Sequence, residues 1–216
     1  MFWNLAGGLR GAAVVVLLAL AGILVPMKFG ALFLDPAILL AYNGVAFLLA
    51  ANFTVRGALG CREEPRLRQL AWLGTFYGWA CWAVVLGVAL AALAQWRGRL
   101  LLPAAALGVA LAALAGAVSW LASTLACVAA LNVQTERAAR DLMRLGFFFI
   151  LLLAIAGPRL LPVEWQENLR RFLSGGPLAS VLLAASALLV LIGAGALRHT
   201  RTLIEDRKAS LSITGE

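Results

Sequence analysis

The chain has 216 residues, 63% of them hydrophobic and only 13% charged, against roughly 25% charged in a soluble domain, which excludes a water-soluble globular protein. Its formal charge of +8 fits basic loops beside a membrane better than a nucleic-acid surface, so the expected partner is the lipid bilayer and no nucleic acid is expected. Cys61, Cys81 and Cys127 are far apart and form no CxxC or Cys/His cluster, so free thiols are expected and no metal or cofactor.

The fold class expected is all-α: a polytopic membrane protein, one transmembrane domain over 1–216, with a bundle of six transmembrane helices. A charge at a bilayer centre costs at least about 2.5 kcal/mol, and all ten acidic residues lie between or beyond the apolar stretches. The first span is expected over 11–33. It follows a head with one charge and carries Lys28 near its far end, which can snorkel; because no clear small-x-small cleavage site follows the apolar run, it reads as a retained signal anchor. Asp35-Pro36 turns the chain into the second span, 36–55, because Pro is tolerated in a first helical turn.

The segment 56–68 carries Arg56, Arg62, Glu63, Glu64, Arg66 and Arg68 and is the first charged loop. The third span, 69–95, has Trp72 and Trp96 near its two ends, as expected of interfacial aromatic rings. A short Arg97-Gly98-Arg99 turn precedes the fourth span, 100–131, within a run that carries no charge from 100 to 135. As one helix that run would be about 54 Å long, more than a hydrocarbon core of about 30 Å, so it must tilt, break or leave the lipid.

A charged helical connection, 134–144, leads into the fifth span, 140–157. Around Pro162, the residues Leu161, Trp165, Leu169 and Phe172 recur at helical spacing with Glu164, Gln166, Glu167, Arg170 and Arg171 between them. This predicts an extracytoplasmic amphipathic helix before the sixth span, over 163–173. The sixth span, 177–197, ends at Arg198 and a polar tail.

An even number of spans puts both termini on one face. That face takes Arg10, Arg56, Arg62, Arg66, Arg68, Arg137, Arg140, Arg144, Arg198, Arg201, Arg207 and Lys208; the other takes Lys28, Arg97, Arg99, Arg159, Arg170 and Arg171. Twelve basic residues against six place both termini in the cytoplasm and the chain in the cytoplasmic (inner) membrane.

Chemistry is sparse. The one histidine, His199, lies beyond the last span, which excludes bis-histidine haem ligation within the bundle and histidine-dependent metalloproteases. Glu63-Glu64-Pro65-Arg66-Leu67-Arg68 spells the EExxxR of intramembrane CAAX-type proteases, but their later histidines are missing and a charged loop is the better reading. No charged side chain is expected in the bundle interior to relay protons, Arg140 and Arg144 lying at one membrane face. The neutral polar residues Tyr42, Asn43, Asn52, Thr75, Tyr77, Ser119, Ser123, Thr124, Ser180 and Ser186 are expected to hydrogen-bond between helices rather than to line a substrate route. Gly74-xxx-Gly78 and Gly108-xxx-Ala112-xxx-Gly116 mark close-packing faces, and Trp72, Phe76 and Trp79 form a lipid-facing or packing stripe. No enzyme is expected, because no acid–base pair exists to run one. No Walker A sequence exists either, so energy for transport would come from a separate subunit.

The second half, 121–212, resembles the permease subunits of type-2 ATP-binding-cassette exporters. A fourth span runs into LASTLACVAALNVQTERAARDLMRLGFFFILLLAIAGPRLLP, followed by an outer amphipathic segment, a Pro-led sixth span and the basic end ALRHTRTLIEDRK. The resemblance implies two paired six-helix units, a second permease copy or homologue, and a cytoplasmic ATP-binding subunit docked on the loop between helices two and three. Here that loop is Arg62, Glu63, Glu64, Arg66 and Arg68, and the outer helix is Trp165, Leu169 and Phe172. Two other readings are a non-transport accessory or scaffold subunit of a membrane complex and a substrate-binding membrane subunit of an importer.

Overall fold

The computed structural model describes residues 8, 11–13, 15–17, 36–59, 61, 63–97, 105–133, 135–160, 162–164 and 178–213. Among these, all regular structure is helical: α1 (Pro36–Ala58), α2 (Glu64–Arg97), α3 (Ala105–Asn132), α4 (Glu136–Leu160) and α5 (Leu178–Ile213). Three helices are long and apolar enough to cross a membrane, over Glu64–Gly87, Gly108–Asn132 and Ala179–Glu205. The chain is therefore a helical membrane protein. The expected first span is described only at 11–13 and 15–17, both helical, and the remainder of 11–33 lies outside the described residues.

Helix boundaries depart from the sequence expectation where local chemistry extends them. α1 runs to Ala58, past the expected end, and Cys61 N–H closes the turn on Ala58 O at 3.0 Å. α2 already begins at Glu64: a carboxylate there complements the helix dipole, and Pro65 suits the first turn. The expected 56–68 loop is thus reduced to a few residues, and Arg66 and Arg68 sit on helix. The uncharged run is one continuous helix over 105–132 and the helix stops only near the run's end. α3 ends at Asn132, whose Nδ2 bonds Val128 O at 2.9 Å. Thr135 then caps α4 by accepting from Ala138 N–H at 3.3 Å on its Oγ1. α5 runs 36 residues, about 54 Å, carrying the expected polar tail as helix well beyond 197.

The ends of the helices fix their directions. Arg56 at the end of α1 meets Glu136 at the start of α4 (3.6 Å), and Arg201 late in α5 meets Glu64 at the start of α2 (3.9 Å). Cys127 near the end of α3 donates its thiol to Leu67 O at 3.7 Å. Hence α1, α3 and α5 run one way and α2 and α4 the other. All described residues assigned to the basic face gather at one end of the bundle. Arg97 closes α2 and Arg159 lies near the close of α4, at the other end.

α3 is central, packing against all four other helices, most extensively against α5 and α1. Its close approach to α1 and α2 rests on small residues. A Cβ at Gly74 would meet Thr54 Oγ1 and Ser123 Oγ, and one at Gly78 would lie 2.7 Å from Ala50 Cβ, 2.8 Å from Ala46 O and 2.9 Å from Ser119 Oγ. The expected close-packing face at Gly74 and Gly78 is thus where three helices meet. α3 reaches α5 through Trp120, which packs on Gly193 and donates its Nε1–H to Val190 O at 3.3 Å. α1 reaches α4 where Phe147 stacks on Phe47 (centroids 5.7 Å) and abuts Gly44.

Between helices, indoles supply hydrogen bonds that hydroxyls were expected to make. Thr54, Thr75, Thr124 and Ser186 bond carbonyls three or four residues earlier on their own helices, a reach their short side chains favour. Trp120 and Trp79 instead bond across helices, the latter to Ala112 O at 3.2 Å. Trp72, Phe76 and Trp79 are exposed, forming the outward stripe read from the sequence. Leu145, Phe148, Phe149 and Leu152 on α4 and Leu188, Val190, Leu191 and Ile192 on α5 are exposed as well, an apolar exterior suited to lipid.

Candidate functional site

The charged end of the bundle holds the residues expected to dock a partner. Glu63 immediately precedes α2 and Glu64, Arg66 and Arg68 occupy its start, where i,i+3 and i,i+4 spacing pairs them: Arg66 Nε–Glu63 Oε2 at 2.9 Å and Arg68 Nη2–Glu64 Oε1 at 3.3 Å. Arg62 lies outside the described residues, as do Trp165, Leu169 and Phe172 of the expected outer helix. Of that helix only Val163 and Glu164 are described, both helical and exposed.

The sequence reading missed the partner of this segment, which is α5. Arg201 Nε lies 3.9 Å from Glu64 Oε2 and 3.0 Å from Glu205 Oε1, so Glu64 is shared by Arg68 on its own helix and Arg201 on another. Arg201 and Glu205 stand at i,i+4 spacing in what the sequence offered only as a polar tail, and nothing in it said which helix would face them. Leu67 and Ile204 are buried beneath these charges with Ala58, Ala71, Cys127 and Ala130, fixing the two helix ends against α3.

Two clefts open where α2 and α5 diverge. The outer one, about 310 Å3, is lined by Glu63, Glu64, Pro65, Arg201, Ile204 and Glu205, three carboxylates against one guanidinium. The inner one, about 390 Å3, is lined by Glu64, Arg68, Trp120, Ala194, Leu197, Arg198 and Arg201, three guanidinium groups against one carboxylate. The polarity thus reverses within about two turns along α5. Trp72, one turn beyond Arg68, packs on Trp120 with ring centroids 4.8 Å apart.

A second node joins α1 to α4. Glu136 takes Arg140 Nη2 at 2.6 Å and Arg56 Nε at 3.6 Å, with both arginine side chains mostly covered. Asp141 pairs Arg144 at 3.3 Å and Arg137 at 3.9 Å on the outer surface. Surface pairs of this kind contribute about 0.2–1 kcal/mol each, so an incoming partner can exchange them at low cost.

Among the described residues no group of three His, Cys, Asp or Glu side chains could hold a metal ion, and all three cysteines are free thiols. Comparison with family models, curated proteins and solved structures finds no match for the chain.

Proposed function

We propose that the chain is the permease subunit of an ATP-driven transporter, working as an exporter with a second permease copy or homologue and with cytoplasmic ATP-binding subunits that dock on the charged end. Both termini face the cytoplasm in this reading, and the membrane is the cytoplasmic one. The observation that carries it is the outer cleft. It combines the residues expected from sequence, Glu63 and Glu64, with Arg201 and Glu205 of α5, leaving an exposed acid-rich socket at the mouth of the bundle.

Such a socket suits a partner presenting basic side chains, because complementary charge sets register and speeds encounter. Force applied there has two routes inward. Through α2 it reaches the Gly74 and Gly78 junction with α1 and α3, and through Arg201 and α5 it reaches the Trp120–Gly193 contact. ATP-driven closure of the partners would pull on the start of α2 and rock the helices it touches, opening a route between paired bundles.

The test is purification from native membranes with associated subunits. An ATP-binding subunit should accompany the chain, and Glu63→Lys with Glu64→Lys should release it and lower the ATPase rate of the complex at least tenfold. A complex without a nucleotide-binding protein, or a rate indifferent to both substitutions, would refute the proposal.

A further inference from the structure

We propose that the inner cleft between α2 and α5, built from Arg68, Arg198, Arg201 and Trp120, binds the phosphate ester of an anionic phospholipid headgroup. The inference requires only that the chain lies in a membrane and is independent of the transport reading.

The donors fit the ligand. Each guanidinium offers a planar fork of N–H groups matched to phosphate oxygens. Three of them face one carboxylate in a cleft of about 390 Å3, and a net positive charge remains even when Glu205, which holds Arg201 Nε at 3.0 Å from outside the lining, is counted beside Glu64. Glu64 also has a positioning effect: it holds Arg68 at 3.3 Å and Arg201 at 3.9 Å, bringing arginines from two helices to one place while leaving most of their N–H groups unused. Both arginine side chains are more than half exposed, so an incoming anion meets them without displacing protein.

The walls distinguish a lipid from a soluble anion. Trp120 and Leu197 line the cleft on the side toward the apolar bundle, and exposed Trp72 packs on Trp120. Amphipathic indoles settle at headgroup depth, which is where a phospholipid phosphate lies. Farther along α5 from the arginines, exposed Leu191, Leu188 and Val190 continue the same helix, an apolar track for acyl chains below the phosphate. Basic pockets between helices at the cytoplasmic leaflet are where anionic headgroups are held. The acid-rich outer cleft repels the same ligand, so the phosphate is confined to the inner one.

The experiment is mass spectrometry of the intact chain, released from micelles after incubation with equimolar phosphatidylglycerol and phosphatidylcholine. Phosphatidylglycerol should be retained preferentially. Arg68→Gln and Arg198→Gln should each weaken its binding about fivefold, Arg198→Lys should restore most of it, and Arg137→Gln, on the exposed far surface of α4, should leave it unchanged. Equal retention of the two lipids, or equal losses in the Arg137 and Arg198 variants, would overturn the proposal. Displacement of phosphatidylglycerol by millimolar inorganic phosphate would overturn it too, assigning the cleft to a soluble anion. Because ATPase coupling is not read here, failure of this test leaves the docking proposal standing, and the converse holds.

Discussion

Replacing Gly78 with alanine tests the three-helix junction most directly. The added Cβ would lie 2.7 Å from Ala50 Cβ, 2.8 Å from Ala46 O and 2.9 Å from Ser119 Oγ. Ordinary contact begins near 3.4 Å, so α1 and α2 must part by about 0.5–0.7 Å, an overpacking that costs about 1–3 kcal/mol. Helix propensity works the other way, favouring alanine by about 1 kcal/mol. Gly87→Ala supplies the control, since nothing lies within 4 Å of its Cβ and only the propensity gain applies. Thermal denaturation in mild detergent, followed by maleimide labelling of buried Cys127 after Cys61 and Cys81 are changed to serine, reads both variants. Gly78→Ala should melt well below Gly87→Ala. Relief should also be selective: Thr54→Ala should partly rescue Gly74→Ala, whose closest obstacle is a side-chain hydroxyl, whereas Ser119→Ala should not rescue Gly78→Ala, because the Ala46 carbonyl cannot move aside. Equal stability of the Gly78 and Gly87 variants would refute the packing argument.

Other consequences are checked separately. Glu136→Gln strips a carboxylate from two mostly covered arginines and should cost about 1–2 kcal/mol, whereas Glu63→Gln, whose carboxylate pairs with exposed Arg66, should cost less than about 0.5 kcal/mol; equal melting temperatures would contradict this. Leu191→Arg places a charge on the exposed face near the middle of α5 and should disfavour membrane integration by about 2.5–3.5 kcal/mol, read as the fraction resisting alkaline carbonate; unchanged integration would mean that this face does not meet lipid. A cysteine at exposed Thr202 should resist membrane-impermeant maleimide in intact cells, and its labelling would reverse the orientation.

Sequence and structure agree where hydrocarbon dictates the answer. Gathering the charges of 56–68, 136–144 and 198–205 at one end follows from the cost of burying charge, and Gly74 with Gly78 announces a close approach by lacking side chains. Pairing was not legible. α1, α2 and α3 are apolar on all sides, so periodicity names no inward face and could not match Trp120 to Gly193 or Glu64 to Arg201. The extent of the charged loop at 56–68 was also misjudged, because helix and loop charges look alike in sequence. Pro65 and the acidic first turn start a helix there, and the stability of that helix comes from Leu67 and Ile204 buried beneath the charges rather than from the charges themselves. Thr54 escaped notice because nothing in the sequence paired it with Gly74 of the next helix, although it lies at the centre of the junction.

The bond from Trp120 to Val190 joins residues 70 positions apart. At roughly 5–20 residues per second of synthesis, the ribosome needs about 4–14 s to deliver the second after the first. Throughout that interval the broadest side of the central helix has no mate, and whatever shields it, whether lipid, the insertion machinery or a chaperone, governs how much newborn chain reaches its native assembly.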